Sequence, residues 1–176
     1  MIFTQTALKG AWIIDIEKHE DERGFFARSW CINEMAERDI HMNILQANVS
    51  LNKKKGTLRG MHYQLAPHQE AKLVRCSKGR IFDVIIDLRK KSPTYKQWTG
   101  VELTSDNYKM LYIPEDFAHG FITLDDNSEI SYFMSQIYVP ASAATIRWND
   151  PQFGINWPIN PLIISEKDKN QADFRY

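Results

Sequence analysis

The chain has 176 residues, 43% of them hydrophobic and 12% aromatic, enough for a single domain, residues 1–176, that buries roughly 70% of the surface its unfolded form exposes. Lys and Arg total 22 and Asp and Glu total 22, so no global field draws the protein to nucleic acid or an anionic membrane, and an anionic ligand must be held by a local cluster. The two cysteines, Cys31 and Cys76, fit no metal-ligand spacing and are too few for a disulfide framework. They read as buried thiols in a reducing compartment, with a single disulfide between them as the alternative.

In chain order, the N-terminal MIFTQTALKG lacks a basic start followed by a long apolar run, and no later run approaches the roughly 20 residues that span a bilayer. A cytoplasmic protein is expected. Segments rich in β-branched and aromatic residues then follow one another: AWIIDIE, GFFARSW, ILQANVSL, TLRGMHYQ, KLVRCS, RIFDVIIDL, WTGVELT, KMLYIP, HGFITL, EISYFMSQIYV and TIRWN. Such spacing indicates an all-β sandwich or barrel. One brief helix is predicted at INEMAERD, residues 32–39, which lacks Gly and Pro. The glycine of SKGR suits a tight hairpin, and the prolines of IPEDFAHGF and VPASAA mark turns or strand ends. The polar tail ISEKDKNQADFRY reads as a loop or short helix on the surface.

Several polar residues interrupt this apolar pattern. In TLRGMHYQ, strict alternation puts Leu58, Gly60, His62 and Gln64 on one face and Arg59 on the other. An interior glycine often marks a bulge, which would let Arg59 and His62 share a face. A hydrogen-bonded core histidine and a surface arginine are the plain alternative. Lys72 alternates with Val74 and Cys76, and either lines a ligand cavity or snorkels to solvent. Asp83 and Asp87 lie in an apolar strand and need partners there; Lys72 or an arginine across the hairpin is the expected one. His119 follows a proline turn between Phe117 and Phe121 and reads equally as core or site. Tyr132, Met134, Gln136 and Tyr138 share even positions, and six residues of strand would separate the two tyrosines by about 20 Å; the face reads equally as a contact for a two-ended ligand or as a plain core stripe whose hydroxyls find partners.

Read in order, DERGFFARSW, GTLRGMHYQ, AKLVRCSKGRIFDVIIDLRKKSPTY, LYIPEDFAHGF, YVPASAATIRWNDPQFGINWP and ISEKD resemble the dTDP-4-dehydrorhamnose 3,5-epimerases over nearly the whole chain. The resemblance implies a cupin-type double-stranded β-helix, a jelly-roll barrel with a few short helices. It also implies proton chemistry beside a ketone, with no redox cofactor and no metal. His62 of the RGxHYQ motif corresponds to the family's general base, Asp168 of SEKD to the group that orients it, Lys72 to the cation facing the keto oxygen, and Tyr132 to the acid on the opposite side of the sugar. By the same resemblance Arg59 lies in the sugar and phosphate region with Gln46, Asn48 and His119 nearby, and Tyr138 stacks on the base. Arg23 and Phe26 match residues the family donates from a partner subunit, which implies a homodimer with a site shared across its interface.

The sequence departs from the family pattern at Arg28, where many members carry a glutamate near the base, at Phe133, and at Ala47 and Val49 beside Asn48. Arg28 reverses a charge and so bears on which nucleobase is accepted. A nucleotide-sugar substrate is expected, thymidine first, with CDP- or GDP-linked 4-keto sugars and epimerisation at C3 alone left open. A sugar-binding cupin without catalysis would lack a base, orienter or acid, and His62, Asp168 and Tyr132 are all present. A metal-dependent cupin is the other reading, through His62, Glu70 and His119, but Gln64 stands where cupins commonly place a second histidine, and its amide is a poor transition-metal ligand.

Overall fold

The structure is a computed structural model that describes residues 1–175. Apolar alternation becomes strands at intervals along its whole length: β1 (Ile2–Gln5), β2 (Trp12–Asp15), β3 (His19–Asp21), β4 (Gly24–Phe26), helix α1 (Ile32–Ala36), β5 (Gln46–Asn52), β6 (Thr57–Gln64) and β7 (Lys72–Lys78). The second half continues with β8 (Arg80–Asp87), β9 (Trp98–Thr104), β10 (Met110–Ile113), β11 (Phe117–Thr123), β12 (Ser128–Met134), β13 (Ala143–Thr145), β14 (Ile163–Ile164) and helix α2 (Glu166–Lys169).

Two sheets face each other, as the jelly-roll expectation requires. The first runs β1-β2-β10-β7-β12-β5 and the second β13-β6-β11-β8-β9, with β14 added in parallel to β6. Between them lie Val74, Cys76, Leu111, Ile113 and Ile130 from the first sheet and Ile81, Ile85, Leu103, Phe117 and Phe121 from the second. Each such buried side chain contributes about 1.5–3 kcal/mol. The outer face of the first sheet is covered by Met35, Ile40 and Met42 from the α1 region. Phe153, Trp157 and Ile159 cover the outer face of the second. The interior core draws mainly on β7, β8, β9 and β10, whereas the polar interior residues come mainly from β5 and β6. Among the described residues no helix is long and apolar enough to cross a membrane.

Four sequence expectations are corrected. The helix ends at Ala36, not at residue 39, because Asp39 enters the left-handed region (φ 59) and the amides of Asp39 and Ile40 return to the carbonyls of Ala36 and Met35. The segment GFFARSW is a strand only to Phe26, and TIRWN contributes only Thr145 to a strand. The strand of the even-numbered tyrosines stops at Met134. Beyond it, the amides of Ile137, Tyr138 and Val139 are taken by the side-chain oxygens of Gln136, Gln46 and Gln64 instead of a neighbouring strand. Finally, Asp83 and Asp87 do not pair with Lys72 or across the hairpin. Asp87 is held by Arg89, Ser92 and Thr94 of the following loop, and Asp83 by His119.

Candidate functional site

The site begins with an irregularity in β6. His62 pairs with His119 and Arg59 with Phe121, so three steps along β6 match two along β11 and one residue of β6 is extra. That residue sits at Gly60, the position where the sequence suggested a bulge. Its φ of +136 is open to glycine, and a Cβ there would lie 2.5 Å from the Gly120 Cα. The bulge changes the parity of the strand. Leu58 and Met61 face the outer clusters, whereas Arg59, His62 and Gln64 all face the space between the sheets. Strict alternation, which grouped Leu58 with His62 and excluded Arg59, fails for this reason.

The bulge also exposes a backbone donor that the β11 ladder does not use. The Gly60 amide donates to Asp168 Oδ2 (3.3 Å), and His62 Nε2 lies 2.7 Å from Asp168 Oδ1. Asp168 belongs to the short helix α2, whose start is capped by the Ser165 hydroxyl accepting from the Asp168 amide. The tail therefore does not simply lie on the surface: Asp168 is buried. With Nε2–H donated to the carboxylate, the neutral imidazole carries its lone pair on Nδ1.

Burial alone would push the Asp168 carboxyl up, but the hydrogen bond from His62, its charge when the ring is protonated, the Gly60 amide and Ser165 outweigh it and hold the group below the ordinary carboxylate range. The folded state thus keeps its charge where the unfolded chain takes up a proton, so this contribution to stability is full above the ordinary carboxyl value and is lost as pH falls through the depressed one. The expected result is that the difference in urea-unfolding free energy between the wild type and Asp168→Asn narrows as the pH falls below about 5. A gap that stays constant into acid would contradict the assignment.

The other groups converge on a cavity of about 430 Å³, within the range of small-molecule sites. Gln46 and Asn48 come from β5, Lys72 from β7, His119 from β11, Tyr132 from β12, and Tyr138 from the loop after it. Both tyrosines thus line one cavity, although no continuous strand joins them. Lys72 is buried, with its ammonium 3.0 Å from Glu70 Oε1, so it does not snorkel out. Arg59 Nε donates to Asn52 Oδ1 (2.7 Å), Gln46 donates to Asn48 (3.0 Å), and His119 Nε2 lies 2.5 Å from Asp83 Oδ1. Burial pushes the Tyr132 hydroxyl up, with Arg59 opposing and Glu70 adding. The phenol is consequently protonated at neutral pH. The cavity joins cations, a carboxylate-oriented imidazole and a phenol, which suits an anionic ligand whose carbon acid is to lose and regain a proton.

Three expected binding residues lie outside this cavity. The Arg23 side chain is 85% exposed and paired with Asp21, Phe26 is 75% exposed, and Arg28 bonds Glu34 at 2.6 Å. Sequence reasoning missed Asn52, which holds Arg59, and Gly120, which admits the bulge; the AHGF motif carried a signal for the glycine, and nothing marked the asparagine. It also passed over Lys167, a cavity residue beside Asp168 in SEKD. The groups weighed as metal ligands are otherwise engaged, His62 by Asp168, Glu70 by Lys72 and His119 by Asp83, and the Gln64 amide is held by backbone groups. Among the described residues no group of three or more His, Cys, Asp or Glu is placed to hold a metal ion. Cys31 and Cys76 are free thiols, Cys31 only half-buried, and burial pushes Cys76 up to about 11.

Comparison with known proteins agrees on one family. The family model for dTDP-4-dehydrorhamnose 3,5-epimerase matches residues 5–175. The dTDP-4-dehydrorhamnose 3,5-epimerase of Methanothermobacter thermautotrophicus is 43% identical over 176 residues, covering 98% of this chain and 94% of its own. The solved structure of the enzyme of that name from Elizabethkingia anophelis superposes with a TM-score of 0.96 at 36% identity, covering 99% of this chain and 96% of the other. The Legionella pneumophila dTDP-6-deoxy-D-glucose-3,5-epimerase, solved in complex with dTDP-4-keto-L-rhamnose, gives 0.88 at 37% identity, covering 95% and 89%.

Proposed function

The chain belongs to the dTDP-4-dehydrorhamnose 3,5-epimerase family, and from that premise we infer that it converts dTDP-4-keto-6-deoxy-D-glucose to dTDP-4-keto-L-rhamnose by inverting C3 and C5. The observation that carries the residue assignment is the His62–Asp168 pair at 2.7 Å, set in a cavity with Lys72 and Tyr132.

His62 takes a proton from a carbon beside the C4 ketone. The bonding pair moves into a C3–C4 or C4–C5 double bond, and the charge goes to the keto oxygen. Asp168 stabilises the imidazolium, and the positioned base and acid each supply about 10²–10⁴ in rate. Lys72 faces the oxyanion, where one preorganised donor is worth about 10²–10³. Tyr132 then returns a proton to the carbon from the opposite face; His62 releases the proton it took and the Tyr132 phenolate takes one up, both by exchange with solvent, before the cycle repeats at the second carbon. No electrons are gained or lost overall. Arg59, His119, Gln46 and Asn48 hold the sugar diphosphate, and Tyr138 stacks on the thymine. We assign Arg23 and Phe26 to the cavity of a partner subunit in a cytoplasmic homodimer. Two features support this: their exposure on a hairpin outside their own cavity, and the edge strand β5, whose outward Val49 and Leu51 are 68% and 51% exposed.

Incubation with dTDP-4-keto-6-deoxy-D-glucose in D₂O, followed by NMR, tests the reading. Deuterium at both C3 and C5 is expected. Label at C3 alone means single epimerisation, and no label in a folded sample removes the thymidine-linked substrate and moves the test to CDP- and GDP-linked sugars. Those nucleotides are the second reading because Arg28 reverses the family's usual charge. Tyr132→Phe is expected to keep exchanging substrate protons through His62 while net epimerisation falls by at least about 100-fold. Equal loss of exchange and inversion would remove the acid role.

A further inference from the structure

The hairpin β3–β4 pairs with itself and, among the described residues, with no other strand. A two-stranded hairpin alone is marginal in water, so its attitude depends on side-chain contacts. One cluster holds Phe25 of the hairpin. Phe25 meets Tyr108 edge to face at 5.0 Å, and Lys18 Nζ stands 4.7 Å from the Phe25 ring and 4.5 Å from the Tyr108 ring. Arg75 of β7 covers Tyr108 at 5.4 Å. Tyr108 is thus a ring held between two cations and one aromatic edge, on a turn before β10 that belongs to the body of the barrel.

We propose that Lys18, Phe25 and Tyr108 form a cation–π clasp that fixes the β3–β4 hairpin in the attitude carrying Arg23 and Phe26 to the partner's cavity. This rests on the shared-site reading above. The three residues are positioning residues: they act through Arg23 and Phe26, which flank Phe25 on the same hairpin. A hairpin released from the clasp samples many attitudes, and apparent affinity falls in proportion to the time spent in the productive one. Chemistry at His62 and Tyr132, once substrate is bound, is untouched.

The test compares Tyr108→Ala with Tyr108→Phe, which keeps the ring and the cation–π contacts. In the alanine variant KM for dTDP-4-keto-6-deoxy-D-glucose is expected to rise about tenfold with kcat within about twofold. Hydrogen exchange over residues 19–26 is expected to quicken, and the phenylalanine variant is expected to match wild type in both. Unchanged KM and unchanged exchange in Tyr108→Ala overturns the clasp, as does a phenylalanine variant as impaired as alanine. The shared-site reading has its own measurement: subunits of inactive His62→Ala and impaired Arg23→Ala proteins are exchanged. Half the dimers then carry one complete site of two, and activity returns to roughly a quarter of wild type. No return removes the shared site, and with it the positional role, even if hydrogen exchange reports that the clasp holds the hairpin.

Discussion

His62→Ala is expected to lose at least about 10²–10⁴ of kcat, about 3–5 kcal/mol of barrier, while keeping the fold. The two halves of this expectation have separate grounds. Catalysis suffers because no other cavity residue is an imidazole oriented by a carboxylate with its ring open to the ligand: His119 is buried against Asp83, whereas the His62 side chain is 44% exposed. The fold survives because His62 lies at the cavity wall, outside the apolar clusters, and because Asp168 keeps its bond to the Gly60 amide. In D₂O the variant should leave both C3 and C5 unlabelled, with an unfolding midpoint near that of wild type. Asp168→Asn should retain more activity, since it removes the orienting charge and leaves the base. A His62→Ala protein that turns over substrate at more than a few per cent of the wild-type rate would remove the mechanism.

What the sequence made legible follows from physical range. Strand positions come from period-two alternation, a local property, and β7, β8, β9 and β11 lie where their apolar runs predicted. The terminus of β12 was not legible, because the groups that end it, Gln46 and Gln64, are far away in sequence. The same holds for charge partners. Asp83 sits in an apolar strand and plainly needs a partner, but nothing local distinguishes His119 from Lys72, which is occupied by Glu70. His62 and Asp168 are 106 residues apart, and only the resemblance joined them at the sequence level. One long-range feature was legible locally: a glycine inside a strand that otherwise favours bulkier residues. Gly60 suggested the bulge, and the bulge explains why Arg59 and His62 share a face.

Gly60→Ala should therefore damage both stability and turnover. The methyl group would sit 2.5 Å from the Gly120 Cα and 3.1 Å from the His119 carbonyl, contacts with backbone that no rotamer change relieves. A φ of +136 adds strain for any residue with a Cβ. Together the two effects are expected to cost about 3 kcal/mol or more, read as a fall in melting temperature of roughly 6–12 °C for a domain of this size. Gly24→Ala separates them, because Gly24 also has positive φ (+124) but no atom within 4 Å of the added carbon. Its cost is backbone strain alone, and equal losses in the two variants would remove the packing argument. The chemical consequence comes from parity. If β6 moves away from β11 to admit the methyl group, the Gly60 amide and the His62 ring, which bond the two oxygens of Asp168, shift together. A misplacement of about 1 Å costs on the order of 100-fold in rate. Folded Gly60→Ala protein, assayed well below its melting temperature, should therefore show depressed kcat, whereas Gly120→Ala should do the same from the other strand, since its added carbon meets the Arg59 carbonyl at 2.7 Å.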